Sequence, residues 1–274
     1  MKKLSIVILN YLNYKDTIEC VESVFEMGYD LEGIVIVDNH SSNNSYAVLK
    51  KKYKDYRNIL VIQTGRNYGF AKGNNIGIMI ARKRFKTDFV FVVNNDTIFK
   101  QKNYFEELLD KYESGVGVIG SKIYLKDGHI QEKEGYDISV KGSLNNLLQM
   151  YLVKYGKDLW SFVLPQTRHA NMADVLHGCA LLFTPDFFEH YNGFYDKTFL
   201  YSEEPILYLM CKKYKLKQLY VDSAYIYHKE DQSSEMSFQN KSEVMISYQA
   251  QSYKYLVWWI IKDKISDKIR RSFS

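Results

Sequence analysis

Residues 89–99, FVFVVNNDTIF, decide how this chain is read. Phe89 to Val93 are apolar throughout, the pattern of a strand covered on both faces. The run then stops on Asn94, Asn95 and Asp96, and apolar residues return after Thr97. Two amides and a carboxylate at the end of a core strand call for a partner.

Three earlier runs share this character: residues 4–9 (LSIVIL), 33–37 (GIVIV) and 59–63 (ILVIQ). Between them the spacing predicts helices over about 15–27, 43–55 and 70–84. In the first, Ile18, Val21, Val24 and Phe25 recur at helical intervals, with Asp16 and Thr17 near its start. Strand and helix alternate four times, so the fold class is α/β, a Rossmann-like, mostly parallel sheet flanked by helices. After residue 115 strands are expected over 116–125, 174–184 and 217–227, with 141–170 as an insertion or mobile loop. One compact domain, 1–232, is expected, divided into halves at 1–100 and 101–232. A helical segment, 233–274, follows.

The composition is that of a soluble chain: 46% hydrophobic and 25% charged over 274 residues. Its 24 tyrosines suit amphipathic packing or a sugar-binding surface. Cys20, Cys179 and Cys211 are odd in number and widely spaced, which fits a reducing compartment. The basic start MKK precedes a short apolar run with no small-residue cleavage site, so residues 4–9 read as a first strand instead of a signal peptide. No stretch reaches the ~18 apolar residues of a membrane span. Between Lys254 and Arg271, six basic residues face Asp263 and Asp267, so most of the net +5 sits there. The nearly neutral body argues against a general nucleic-acid surface.

Ligands of open α/β sheets collect at the carboxyl ends of the strands. Those ends read Asn10-Tyr11, Asp38-Asn39, Gly65-Arg66-Asn67 and Asn94-Asn95-Asp96. The first turn lacks G-x-G-x-x-G and no P-loop occurs, so neither the dinucleotide nor the P-loop class fits. Asp38 is placed to accept hydrogen bonds from a ribose or base, or to cap the following helix; Asp96 is placed to bind a hard cation. In GRNYGFAKGNNIG (65–77) the glycines at 69, 73 and 77 share a helix face that approaches the sheet or a ligand, while Arg66 and Lys72 are candidates to face phosphate oxygens.

In order along the chain, SIVILNY, VIVDNHSS, GRNYGFAKGNNIG, FVFVVNNDT, HGCALLF, GFYDKTFLYSEEPIL and YIYH resemble glycosyltransferase family 2, the inverting enzymes of the GT-A fold, and its bacterial rhamnosyltransferase-like branch in particular. The resemblance spans residues 4–228 and implies a nucleotide-binding half at 1–100 and an acceptor-binding half at 101–232. It implies a nucleotide-sugar donor (dTDP-rhamnose or a UDP-sugar), a saccharide or lipid-linked acceptor, Mn²⁺ or Mg²⁺, and a role in cell-surface polysaccharide synthesis. It further implies that Asp96 and His228 hold the metal, here with Asn94 and Asn95 where relatives carry a further acid. Glu204 falls at the position of the general base and Glu203 beside it; relatives read Glu-Asp there, so the two roles remain exchangeable. His177 borders donor and acceptor, with Asp174 placed to orient its ring. A non-catalytic, nucleotide-binding, membrane-associated scaffold of the same fold is the alternative.

Trp258, Ile261, Ile265 and Ile269 recur at helical spacing opposite basic residues. Such a helix lies on a membrane surface or packs on the domain. The expected location is cytoplasmic, at the inner face of the cell membrane.

Overall fold

The computed structural model describes residues 2–131, 134–154, 172–229 and 241–272. The first half follows the expected alternation: β1 (Leu4–Asn10), α1 (Tyr14–Met27), β2 (Gly33–Asp38), α2 (Ser45–Tyr53), β3 (Ile59–Gln63), α3 (Gly69–Phe85) and β4 (Phe89–Asn94). Short β5 (Thr97–Ile98), α4 (Tyr104–Asp110), β6 (Val116–Leu125), β7 (Ile130–Gln131) and β8 (Glu134–Asp137) come next. The remainder comprises α5 (Val140–Lys154), β9 (Met172–Val175), β10 (Ala180–Phe183), α6 (Pro185–Phe188), α7 (Glu203–Lys213), β11 (Lys217–His228) and the long α8 (Lys241–Ser272).

The main sheet runs β3-β2-β1-β4-β10-β6-β11-β5, with β7 beside β6. Among the described residues six of its strands share one direction, and β5, β7 and β10 oppose them. The continuous apolar runs have a simple cause. Successive side chains of a strand point to opposite faces, and both faces are covered. Phe89, Phe91 and Val93 join one core layer with Val21 and Val24 of α1 and Leu108 of α4. Val90 and Val92 join the other, with Ile78 of α3, Ile206 of α7 and Leu256 of α8.

The structure corrects four sequence expectations. Asn13, not Asp16 or Thr17, caps α1, its side chain accepting from the Asp16 N–H. Phe25 of the α1 stripe stands exposed and stacks on Tyr56, 5.7 Å between centroids. The run 174–184 is two strands: β9 pairs with β8 in a separate small sheet, while β10 enters the main sheet between β4 and β6. Residues 141–154, expected within an insertion or mobile loop, belong to α5, which packs on α8. The rest of that stretch, 155–170, lies outside the described residues.

Helix α8 buries Ala250, Tyr253, Leu256, Val257, Trp259 and Ile260 against the domain, and Lys212 of α7 meets its Asp263 at 2.6 Å. The stripe singled out in the sequence is a different one. Trp258, Ile261 and Ile265 are 47%, 37% and 55% exposed; the Ile269 side chain lies outside the described part. No helix of the described residues is long and apolar enough to cross a membrane.

Candidate active site

The ends of β1, β2, β4 and β11 open on a cleft of about 570 Å³. Its floor carries Tyr11, Asn39, Asn94, Asn95, Asp96 and His228. The turn before β10 contributes His177, Gly178 and Cys179, and the start of α7 contributes Glu203 and Glu204.

Strand β4 delivers its polar trio to three different tasks. The Asn95 amide donates to the Asn13 carbonyl (3.0 Å) and the Thr17 hydroxyl (3.1 Å), tying the strand end to α1. Asn94 Nδ2 lies 3.5 Å from His228 Nε2. Asp96 Oδ1 lies 3.2 Å from the same Nε2, both side chains less than a tenth exposed. The answer to the strand's abrupt ending is therefore β11. It runs parallel to β6, pairs at its end with β5 and brings His228 over the β4 terminus. The next residue fixes that end: the Lys229 N–H donates to the Asp96 carbonyl, and its ammonium binds Asp16 (2.9 Å) and Glu19 of α1.

This oxygen–nitrogen pair fits a hard divalent cation. Two adjacent ligands of an octahedral ion, each bonded at about 2.1–2.3 Å, stand roughly 3 Å apart, close to the Asp96–His228 separation. Among the described residues His228 Nδ1 is buried without a hydrogen-bond partner. Among the described residues no third acidic, histidine or cysteine side chain completes a cluster, so positions would stay open for ligand oxygens and water.

The loop after β3 faces the β2 end. Asn39 Nδ2 donates to Asn67 Oδ1 (2.9 Å) and the Gly69 carbonyl (3.1 Å), and Asn39 Oδ1 accepts from the Tyr68 N–H. Gly69 is required at the start of α3. Its φ is +78°, and a Cβ there would stand 2.1 Å from the Phe199 carbonyl oxygen. Gly73 and Gly77 of the same face lie against Leu9 and Val7, bringing α3 onto the sheet.

Four expected contacts stand elsewhere. Asp38 is fully buried and accepts from Asn10 Nδ2 (2.7 Å), the Ser41 hydroxyl (2.6 Å), the Ser41 N–H (3.0 Å) and Gln63 Nε2 (3.0 Å). Its oxygens are spent on protein donors, so it braces this corner instead of facing a ribose, and Asn44 occupies the N-cap position of α2. Asn10, buried with it, accepts from the Thr17 hydroxyl. Arg66 and Lys72 both stack on the Tyr68 ring, 4.9 and 4.8 Å from its centroid, and neither lines the cleft.

The acidic pair opens α7. Tyr201 (φ 73°) and Ser202 (φ 66°) precede it in the left-handed region, a strain of about 1–3 kcal/mol each that recurs at functional sites. Glu203 is 5% exposed. Burial pushes its carboxyl well above the usual range, and the neighbouring Glu204 charge adds to the rise. Glu204 is half-buried against Gly178, where a Cβ would come within 2.6 Å of its Oε1. His177 Nδ1 faces the Cys179 N–H at 3.5 Å and its ring lies 6.2 Å from that of His228. Asp174 stands exposed on β9.

The far wall comes from residues the strand-end pattern does not reach: Tyr136 before α5, Met150 on α5, and Gln249 and Tyr253 on α8. Asn146 donates to the Tyr253 hydroxyl (3.2 Å), joining the two helices. Phe70, Phe199 and Tyr201 add an aromatic rim. The sequence signals only their chemistry, through its many aromatic residues; their placement depends on helix packing.

Comparison with known proteins places the chain in a family and its fold beside solved structures. The model of the family described as glycosyl transferase family 2 matches residues 5–187. The low-salt glycan biosynthesis hexosyltransferase Agl10 of Haloferax volcanii is 23% identical over 201 residues, 73% of this chain and 59% of that protein. The glycosyltransferase GlyG of Streptococcus pneumoniae is 27% identical over 110 residues, 40% of this chain and 35% of its own. The chain thus spans less than two thirds of the length of either relative. Among solved structures, GalNAc-T7 with UDP, GalNAc and Mn²⁺ superposes with a TM-score of 0.60 at 14% identity, covering 85% of this chain and 45% of that one. Staphylococcus aureus TarS gives 0.54 at 15% identity, covering 83% and 36%. These two likenesses are ones of fold, and they agree with the GT-A architecture.

Proposed function

The chain belongs to glycosyl transferase family 2, and from that premise we propose that it is an inverting glycosyltransferase moving a sugar from a nucleotide-sugar donor to a saccharide or lipid-linked acceptor. The observation that carries the reading is one cleft with two chemistries. Asp96 and His228 meet on its floor at 3.2 Å, and Glu203 and Glu204 line the same cleft from the start of α7. The names of the curated relatives, a glycan hexosyltransferase and a glycosyltransferase, support it.

In this proposal Asn39, Asn67 and Tyr11 border the nucleotide, and Asn94 and His177 border the sugar diphosphate. Asp96 and His228 would hold Mn²⁺ or Mg²⁺, which when bound supplies Lewis-acid neutralisation of the departing diphosphate. Glu204 takes the acceptor hydroxyl's proton as that oxygen bonds to the anomeric carbon from the side opposite the leaving group. The carbon–diphosphate bond breaks with its electron pair on the nucleoside diphosphate, and the anomeric configuration inverts. The aromatic rim and the far wall exclude water and offer ring faces to a saccharide.

Trp258, Ile261 and Ile265 lie outside the packed face of α8, near the exposed Lys254, Lys262 and Lys268. An apolar stripe with basic neighbours suits an anionic membrane surface, where a lipid-linked acceptor would be met, at the inner face of the cell membrane. A donor screen tests the enzymatic reading. dTDP- and UDP-sugars are incubated with Mn²⁺ and saccharide acceptors, and product formation is followed by mass spectrometry. Transfer from at least one donor is expected; no metal-dependent nucleotide binding and no transfer would refute it.

A further inference from the structure

The segment that leads into the acid pair is gripped from two sides. Its consecutive carbonyls at Phe199 and Leu200 are taken by different elements. The Phe70 N–H at the start of α3 donates to Phe199 at 2.7 Å, and the Ser252 hydroxyl on α8 donates to Leu200 at 2.8 Å. Tyr248, one turn earlier on α8, lays its ring on Phe199, 4.5 Å between centroids and 20° between planes. Ser252 is 1% exposed, so water does not compete for its bond.

Helix α7 depends on this outside hold because its own start is weakly fixed. Ser202 stands at the N-cap with no side-chain bond to the first turn, although a serine there commonly fixes the entry of the chain. Tyr201 and Ser202 both lie in the left-handed region, where non-glycine residues persist only if their surroundings over-determine them. The two fastened carbonyls come immediately before that pair, and Glu203 and Glu204 immediately after it. The far end of α7 is tied to the same partner helix, Lys212 to Asp263 at 2.6 Å. The direction in which both carboxyls enter the cleft is therefore set from α8.

We propose that Ser252 and Tyr248 are positioning residues for the acid pair: from α8 they hold residues 199–202 in the shape that aims Glu203 and Glu204 at the acceptor hydroxyl. The proposal rests on the transferase reading. Neither residue lines the cleft, whereas their chain neighbours Gln249 and Tyr253 do. Helix α8 thus walls the cleft with one set of side chains and grips the loop with the set beside it. This gives the last helix a part in turnover that neither its packed face nor its exposed stripe requires.

Hydrogen exchange of the full chain tests the grip without reference to activity. In Ser252→Ala and in Tyr248→Leu the amides of residues 200–204 are expected to exchange at least about tenfold faster than in the wild type, with those of β1–β4 unchanged. Kinetics read the consequence. In both variants kcat falls about 10–10²-fold, while Mn²⁺-dependent nucleotide affinity stays at the wild-type level. Tyr248→Phe keeps the stacked ring and retains wild-type exchange and kcat. Asp263→Asn cuts the fastening at the far end of α7; it lowers the melting temperature and leaves kcat unchanged, which separates aiming from a general loss of stability. Wild-type exchange of residues 200–204 in both variants, a loosened segment with unchanged kcat, or an equal kcat loss in Asp263→Asn overturns the proposal. A segment that loosens in both variants of a chain whose wild type transfers no sugar overturns the transferase reading alone.

Discussion

Asp96 and His228 face each other across 3.2 Å, Oδ1 to Nε2, although one ends the fourth strand and the other the eleventh. Both are buried, and both are pinned from behind: the Asp96 carbonyl accepts from the Lys229 N–H, and Lys229 is held in turn by Asp16 and Glu19. In the proposed metal site such a backing would fix both side chains before a cation arrives and reduce the ordering cost of binding. Asp96→Ala is expected to abolish Mn²⁺-dependent binding of a nucleoside diphosphate in calorimetry, and His228→Ala to weaken it at least about tenfold. Equal nucleotide affinity with and without Mn²⁺ in the wild type would remove the metal from the account.

Glu204→Gln keeps the shape of the side chain and removes its basicity. Its kcat should fall by about 10²–10⁴-fold, with nucleotide affinity in calorimetry held at the wild-type level. A parallel loss of donor binding would move Glu204 from the acceptor side to the donor side of the cleft.

Gly178 bears on the same carboxylate. A Cβ at this position stands 2.6 Å from Glu204 Oε1, so Gly178→Ala must displace the proposed base. A misplacement of this size costs about 10²-fold in rate, and the melting temperature should stay near that of the wild type. Unchanged kcat in a folded Gly178→Ala protein would show that the Glu204 position has no bearing on turnover.

The raised Glu203 carboxyl makes a stability prediction with a definite sign. Between the unfolded value, about 4.3, and the higher folded value, the native state holds a proton that the unfolded state has released. Stability then falls as pH rises through that window. The contribution is fully present below the unfolded value and gone above the folded one. Glu203→Gln removes this liability, so it should melt higher than the wild type at neutral pH, with the gap closing as pH is lowered towards 4. Thermal denaturation across that range would check it, and a gap independent of pH would contradict it.

Helix α8 divides its labour between two faces. Replacing Trp258, Ile261 and Ile265 by serine should abolish flotation with anionic vesicles; Ile265, the most exposed of the three, should move stability by no more than about 0.5 kcal/mol, while Trp258 also gives up its stacking on Tyr195. Retained flotation would turn attention from this stripe to the basic residues alone. A large loss of melting temperature would mean that the stripe packs on protein.

Much of the architecture is local and could be read directly. The alternation of strands and helices up to Asn94 is written in residue spacing, since a strand repeats every two residues and a helix about every 3.6. Phe89–Val93 reads as buried on both sides because each face of β4 finds a core layer. The polar ends Asn39, Asn67 and Asn94–Asp96 mark the edge on which the cleft opens. Spacing along the chain does not fix where a side chain ends up once elements from distant positions meet. Asp38 looked available to a ligand until Asn10, Ser41 and Gln63 converged on it from three neighbouring elements. Residues 141–154 read in sequence as an insertion or loop, and α5 takes its place by lying on α8. The same packing brings Met150, Gln249 and Tyr253 to the far wall. Sequence alone determined the strands and helices up to Asn94 and the chemistry of the strand ends, because backbone geometry dictates those over a few residues. Tertiary structure decided which polar groups face the cleft and which are consumed in the core, because each buried donor and acceptor must find a partner and those partners come from anywhere in the chain.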